Sequence, residues 1–136
     1  MNVLFICKWN QGRSQVAEAL FKKYTSKHTC LSAGTHANEL PGITLAICAP
    51  LVVQVLKEWD IDVSNKTTKR LTQDLIDHAD KIVFMSKQRE LPEVLTQSEN
   101  VTLWSIDDPD GRGYEFHVSM RNQIDIFVKN FLSSLG

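Results

Sequence analysis

The chain predicts an α/β fold, a parallel four-stranded sheet with helices on both faces. Three observations predict it. Short apolar runs alternate with stretches of helical periodicity along the 136 residues. Turn-forming residues separate these segments, and no internal repeat, low-complexity tract or linker interrupts them. An apolar fraction of 43% beside 23% charged residues suits one packed core under a polar surface, so residues 1–136 read as a single domain.

Each element has its own warrant. Val3–Ile6 is an apolar run and the first strand. Ser14–Ser26 is the first helix, with Val16, Leu20 and Tyr24 spaced by four and Ala17 and Phe21 beside them. Cys30–Ala33 is the second strand, stopped at Gly34. "GTHANELPGIT", residues 34–44, is a loop, after which Pro50 suits the first turn of a helix over Pro50–Glu58. "DIDVSNKTTKR" is polar and loop-like, and Thr72 caps a short helix over Gln73–His78. "KIVFM" is apolar enough for an interior third strand. Gln88–Thr96 reads as helical, with Pro92 near its first turns, and "VTLWSI" is the fourth strand. "DDPDGRG" is a turn-rich loop before a last helix from Glu115 to Leu132. There Ile124, Phe127, Val128 and Phe131 form one apolar face.

Several function classes are disfavoured at this stage. With 15 basic and 16 acidic side chains the formal charge is −1, so bulk electrostatics predict neither nucleic-acid nor membrane binding. No apolar run approaches the roughly 18 residues of a membrane span. The start lacks the basic region and cleavage site of a signal peptide. Cys7, Cys30 and Cys48 are a sparse, odd set unlike a disulfide framework, which predicts reduced thiols and a cytoplasmic protein. His36, His78 and His117 lack ligand spacing, so neither metal nor cofactor is expected.

Right-handed crossovers in such a sheet bring ligands to the carboxyl ends of the strands. The first strand ends on Cys7 and the fourth runs into Asp107 and Asp108, so these two loops are candidates for one site. Cys7 to Arg13 spells Cys-Lys-Trp-Asn-Gln-Gly-Arg. A strand-to-helix loop can turn its N–H groups inward as an anion nest, and the helix adds its positive end. Arg13 offers a planar fork for two oxygens of a tetrahedral oxyanion. The same field favours a thiolate at Cys7, placed for in-line attack on a bound phosphate. Gly12 frees the backbone, Asn10 tolerates a left-handed turn, and Ser14 can cap the helix or donate to Cys7. The Gly-Lys-Ser/Thr ending of an ATP-type phosphate loop is missing.

"VLFICKWNQGRSQVAEAL" resembles the start of the low-molecular-weight protein tyrosine phosphatase superfamily, which includes the thioredoxin-coupled arsenate reductases. The pattern Cys-x-x-Asn-x-(Cys or Gly)-Arg-Ser matches Cys7, Asn10, Gly12, Arg13 and Ser14. "SAGT" at Ser32–Thr35, "DIDVS" at Asp60–Ser64, "ADKIVFM" at Ala79–Met85 and Asp108-Pro109 extend the likeness in order. The resemblance implies strand order 2-1-3-4 and a phosphocysteine mechanism. Cys7 would be the nucleophile, Arg13 the phosphate clamp, and Asp108 the general acid and base. Lys8, Trp9, Gln11 and Gly12 would join the phosphate-binding loop, with Asn10, Ser14 and Ser32 as its supporting network. Asp107 and Asp110 rival Asp108 on charge alone, and the following proline favours Asp108.

Two activities stay open, with a non-catalytic oxyanion or phosphoprotein binder as a third reading. "GRSQVAEAL" and "LWSIDDP" resemble the arsenate-reductase branch, yet "VFMSKQRELPEVL" lacks the resolving cysteines that branch carries after the third strand. Cys30 and Cys48 read as small packing residues, which leaves an external thiol for that route. The phosphatase reading expects aromatic residues directly after Asp-Pro, whereas this chain has "DPDGRGYEF". Trp9 with Tyr114 or Phe116 would make an aromatic slot; alternatively Trp9 packs on a helix and Tyr114 lies at the surface. Lys8 attracts anions or is simply solvated. Lys66–Arg70 reads as a solvated loop, and Trp59 and Trp104 as packing residues. The leading expectation is a phosphomonoesterase acting on phosphorylated protein or a small aryl phosphate, and binding inorganic phosphate.

Overall fold

A computed structural model describes residues 1–40 and 42–136. The sheet has four parallel strands in the order β2-β1-β3-β4. They are β1 (Asn2–Cys7), β2 (Thr29–Gly34), β3 (Lys81–Phe84) and β4 (Val101–Leu103). The helices are α1 (Arg13–Tyr24), α2 (Leu45–Cys48), α3 (Pro50–Lys57), α4 (Gln73–Asp77), α5 (Glu93–Thr96) and α6 (Tyr114–Leu135). None is long and apolar enough to cross a membrane.

Strand alternation sorts the core into two layers. Val3, Phe5 and Cys7 point to one face, against Val16, Leu20 and Phe21 of α1, Val52 and Leu56 of α3, and Met120, Ile124 and Val128 of α6. Leu4 and Ile6 point to the other, with Ile82, Phe84, Leu95 and partners from α4 and α5. Both faces of β1 are therefore covered, which is why its side chains from Val3 to Cys7 are all buried. Trp104 packs in the first layer, stacked on Phe127 at 5.1 Å between centroids. Trp59 lies at its rim under the Arg121 guanidinium, 4.1 Å from the ring.

The expected elements are present, with four departures. Residues 45–48 form the short helix α2, in a stretch where periodicity assigns no element, and the loop expected over 34–44 includes Pro41, outside the described residues. Pro92 does not sit within the first turns of one helix. It splits that segment into a 3₁₀ turn over Gln88–Glu90 and α5, because the residue before a proline is forced extended (Leu91 has ψ 122°). The fourth strand stops at Leu103, with one further ladder bond from Trp104 N to Phe84 O at 2.9 Å. Ser14 does not cap α1: Gly12 holds the cap position without a side-chain bond, and Ser14 lies inside the first turn. Thr72 caps α4 as expected, accepting from Leu75 N at 3.2 Å.

Candidate functional site

The site begins where β1 runs out. Past Cys7 the chain turns through Asn10, whose φ of 57° is left-handed, and enters α1 at Arg13. Among the described residues none of the backbone N–H groups from Asn10 to Ser14 donates to a backbone carbonyl, which leaves the loop and the start of α1 with unused donors. No acidic side chain occupies the first turn of that helix to neutralise its positive end.

Two kinds of anchor hold the loop. On the backbone side, Thr35 N donates to Cys7 O at 2.9 Å and His36 N to Lys8 O at 2.7 Å. Gly34 permits this closeness: a Cβ there would lie 2.8 Å from Asn10 N, Lys8 O and Trp9 C. On the side-chain side, Asn10 is fully buried and uses its whole amide. Its Nδ2 donates to Ser14 Oγ at 2.7 Å and to Ser32 Oγ at 3.0 Å, and its Oδ1 accepts from Lys69 N at 2.9 Å and Gln15 Nε2 at 3.1 Å. Ser14 Oγ lies 2.9 Å from Cys7 Sγ, so the chain of polar contacts ends on the thiol. At its far end Ser32 Oγ donates to the buried carboxylate of Glu18 at 2.8 Å. Lys22 and Lys69 balance that charge at 3.2 and 3.8 Å. Burial lowers the Lys69 pKa, with Glu18 opposing the shift.

Arg13 is also fixed. Its Nη1 donates to Met85 O and Ile106 O, both at 3.0 Å, at the ends of β3 and the β4 segment. Its Nη2 lies 3.6 Å from Asp108 Oδ2. Asp108 closes an Asx turn by accepting from Asp110 N at 3.0 Å, and Pro109 rests against Gly12, where a Cβ would meet the proline Cγ at 2.8 Å. Gly12 therefore lets the aspartate loop sit directly on the thiol loop.

Cys7, Trp9, Gln11, Gly12, Arg13 and Asp108 line one cleft of about 180 Å³. Asn10, Ser14 and Ser32 stand behind it as buried support. Lys8 is not part of the lining; its Nζ lies over the Trp9 ring at 5.3 Å. Of the rival aspartates, Asp110 lines the cleft and Asp107 does not. The aromatic slot is only half present. Trp9 lines the cleft, but Tyr114 turns away to donate to Glu58 Oε2 at 2.5 Å, and the Phe116 ring is covered by the Arg112 guanidinium at 4.6 Å.

Three contributors escaped sequence reasoning. Cys48, at the end of α2, lines the same cleft as Cys7 instead of only filling a core position. Burial raises its pKa. His117 and Arg112 line the same cleft. The Pro50 helix-start signal was the only hint that this segment forms a wall, and it located the helix without its orientation. Among the described residues no group of three or more His, Cys, Asp or Glu side chains is arranged to hold a metal ion.

Comparison with known proteins agrees with this fold. A family model described as low molecular weight phosphotyrosine protein phosphatase matches residues 2–136. The chain is 31% identical to an arsenate reductase of Bacillus cereus over 132 residues, covering 95% of this chain and 92% of that one. It is 28% identical to a glutaredoxin arsenate reductase of Synechocystis, covering 98% of both. Among solved structures, a low molecular weight protein tyrosine phosphatase from T. tengcongensis superposes with a TM-score of 0.83 at 25% identity, covering 98% and 99% of the two chains. An arsenate reductase in its phosphate-binding state superposes with a TM-score of 0.82 at 26% identity, covering 99% and 98%.

Proposed function

Because the chain belongs to the low molecular weight phosphotyrosine protein phosphatase family, we propose that it hydrolyses phosphomonoesters through a phosphocysteine on Cys7. One observation carries the reading. The thiol, the open N–H groups of its loop, the Arg13 fork and the Asp108 carboxyl converge on one cleft. A phosphate seated there has its oxygens against Arg13 and the α1 N-terminus, and its phosphorus above Cys7 Sγ. Attack by the thiolate forms the S–P bond as the ester P–O bond breaks, and Asp108 protonates the departing oxygen. Asp108 then removes a proton from the water that cleaves the S–P bond and releases phosphate. Ser14 steadies the thiolate by donating to it. Fixed donors aimed at the phosphoryl oxygens supply electrostatic stabilisation, and the acid adds about 10²–10⁴ in rate.

Substitution tests the roles separately. Cys7→Ser is expected to abolish turnover while inorganic phosphate still binds. Asp108→Asn is expected to slow esters of poor leaving groups far more than those of good ones; equal slowing across a leaving-group series would remove Asp108 from the acid role.

A second reading is supported by the arsenate reductases among the relatives. Arsenate esterified on Cys7 would leave as arsenite when an external thiol attacks Cys7 Sγ. The two sulfurs form a disulfide and arsenic takes up two electrons. Arsenite release with thioredoxin, glutaredoxin or glutathione as donor, measured beside phosphate release from aryl esters, decides between the two.

A further inference from the structure

The lining of the cleft includes a histidine that the hydrolytic steps above do not use. His117 sits in the first turns of α6 with only 6% of its surface exposed, and it is one of the residues that line the cleft. Its two nitrogens are in different situations. Nδ1 lies 2.8 Å from Gly113 O, and a carbonyl can only accept, so Nδ1 carries a proton and donates. That bond fixes the ring and leaves Nε2 as an acceptor in the neutral side chain. Nε2 has no partner among the described residues, and it is not sealed off, because Ser86 Oγ is the one fully buried side-chain polar atom left unpaired there. A polar ring nitrogen held in a wall without a partner is set to meet one that arrives with the ligand.

The rest of that wall points the same way. An aryl-phosphate slot is usually built from two flanking aromatic rings; among the described residues of this cleft Trp9 is the one large aromatic side chain, and the remaining apolar lining is aliphatic, from Ala49, Pro50, Leu51, Val52 and Pro109. Tyr114 and Phe116 are occupied by Glu58 and Arg112. Besides the Arg13–Asp108 pair and that aliphatic surface, the cleft carries three polar side chains, Asp110, Arg112 and His117. Two of these three are acceptors when His117 is neutral.

We propose that His117 reads the leaving portion of the substrate, and that the preferred phosphomonoesters carry an O–H or N–H donor there for Nε2 to accept. The inference rests on the hydrolase reading of the site and adds a substrate class to it. His117 is the contact residue, and its bond to Gly113 is what aims it.

The test uses phenyl phosphate and its ortho-, meta- and para-hydroxymethyl derivatives, which differ chiefly in where a donor is placed. At least one derivative is expected to exceed phenyl phosphate in kcat/KM by about tenfold, the worth of one good hydrogen bond in a partly dry site. In H117N the amide can keep the Gly113 contact but cannot reach the Nε2 position, and the ratio is expected to fall to about one. H117Q, which extends toward the Nε2 position, is expected to restore part of the ratio. No preference among the four esters, or a ratio that survives in H117N while both rates fall together, overturns the proposal and leaves His117 as a clamp on Gly113. Binding of benzylphosphonate and its hydroxymethyl derivatives, followed calorimetrically on the same proteins, keeps the two readings apart. Absence of turnover with every ester refutes the hydrolase, while a tenfold affinity preference lost in H117N still upholds the contact.

Discussion

Asn10 combines a left-handed backbone with a fully buried side chain that makes four hydrogen bonds. An alanine there leaves Ser14, Ser32, Gln15 and the Lys69 amide each short of a partner and keeps the positive φ. Asn10→Ala is expected to lower the unfolding free energy by about 2–4 kcal/mol and to weaken phosphate binding. Asn10→Gly loses the same bonds but accommodates the backbone, so it should recover about 1 kcal/mol of that loss. Urea denaturation of the two variants side by side separates the polar part from the backbone part; equal stabilities would mean that φ at this position stores nothing.

The thiol loop is positioned by neighbouring elements as much as by its own residues. The last residue of β2 makes one of the closest of these contacts. At Gly34 the atoms that a Cβ would meet belong to backbone, which has no rotamer to change. Gly34→Ala is expected to cost about 1–3 kcal/mol of stability as an overpacked site and to lower phosphate affinity at least about tenfold, since the loop must retreat from its anchors. Titration with phosphate beside a melting curve checks both parts, and an unaltered affinity would show that the loop can move away without distorting.

Much of this scale was legible in the sequence, and the exceptions have physical reasons. β1, α1, β2 and the Thr72 cap follow from periodicity and local side-chain bonding. Pro92 was visible but its effect was placed wrongly, because the constraint falls on Leu91 and breaks the turn before it. Cys7, Arg13, Asn10 and Ser14 could be grouped because they share one local loop. Cys48 and His117 reach the same cleft from α2 and α6, far apart in the chain, and nothing local distinguishes a cysteine or histidine that faces a cavity from one that packs. Tyr114 misled for the converse reason: its partner Glu58 is 56 residues away.

Taken whole, the molecule keeps two acidic protons under cover on the α1–β2–α6 side of the sheet. Burial and the Asp125 carboxylate push the Tyr24 phenol up to about 12, from an ordinary value of 10.0. Tyr24 Oη donates to Asp125 Oδ1 at 2.5 Å, tying α1 to α6. Burial, then the nearby Glu18 charge, pushes the Cys30 thiol up to about 12, from 9.0. Both groups hold their protons more tightly folded than unfolded. Their contribution is therefore complete below about pH 9 and is lost as pH rises toward 12. The urea midpoint is expected to fall from pH 9 to 11, and Tyr24→Phe should flatten part of that fall, leaving the shares of Cys30, Cys48 and Tyr114, against which the lowered Lys69 pKa works. A midpoint that holds level to pH 11 would contradict both assignments.

The outer edge of the sheet has a consequence for the cleft. β2 is an edge strand, and its open side at Gly34 is closed by the segment around Arg70: Gly34 N donates to Lys69 O at 2.8 Å, and Leu71 N to Gly34 O at 2.9 Å. Lys69 thus guards the sheet margin with its carbonyl while its own amide grips Asn10. The hydrogen bonds through Lys69 join that margin to the anion seat. Inorganic phosphate should accordingly slow deuterium uptake at the Gly34, Lys69 and Leu71 amides, on the side of the thiol loop away from the bound anion.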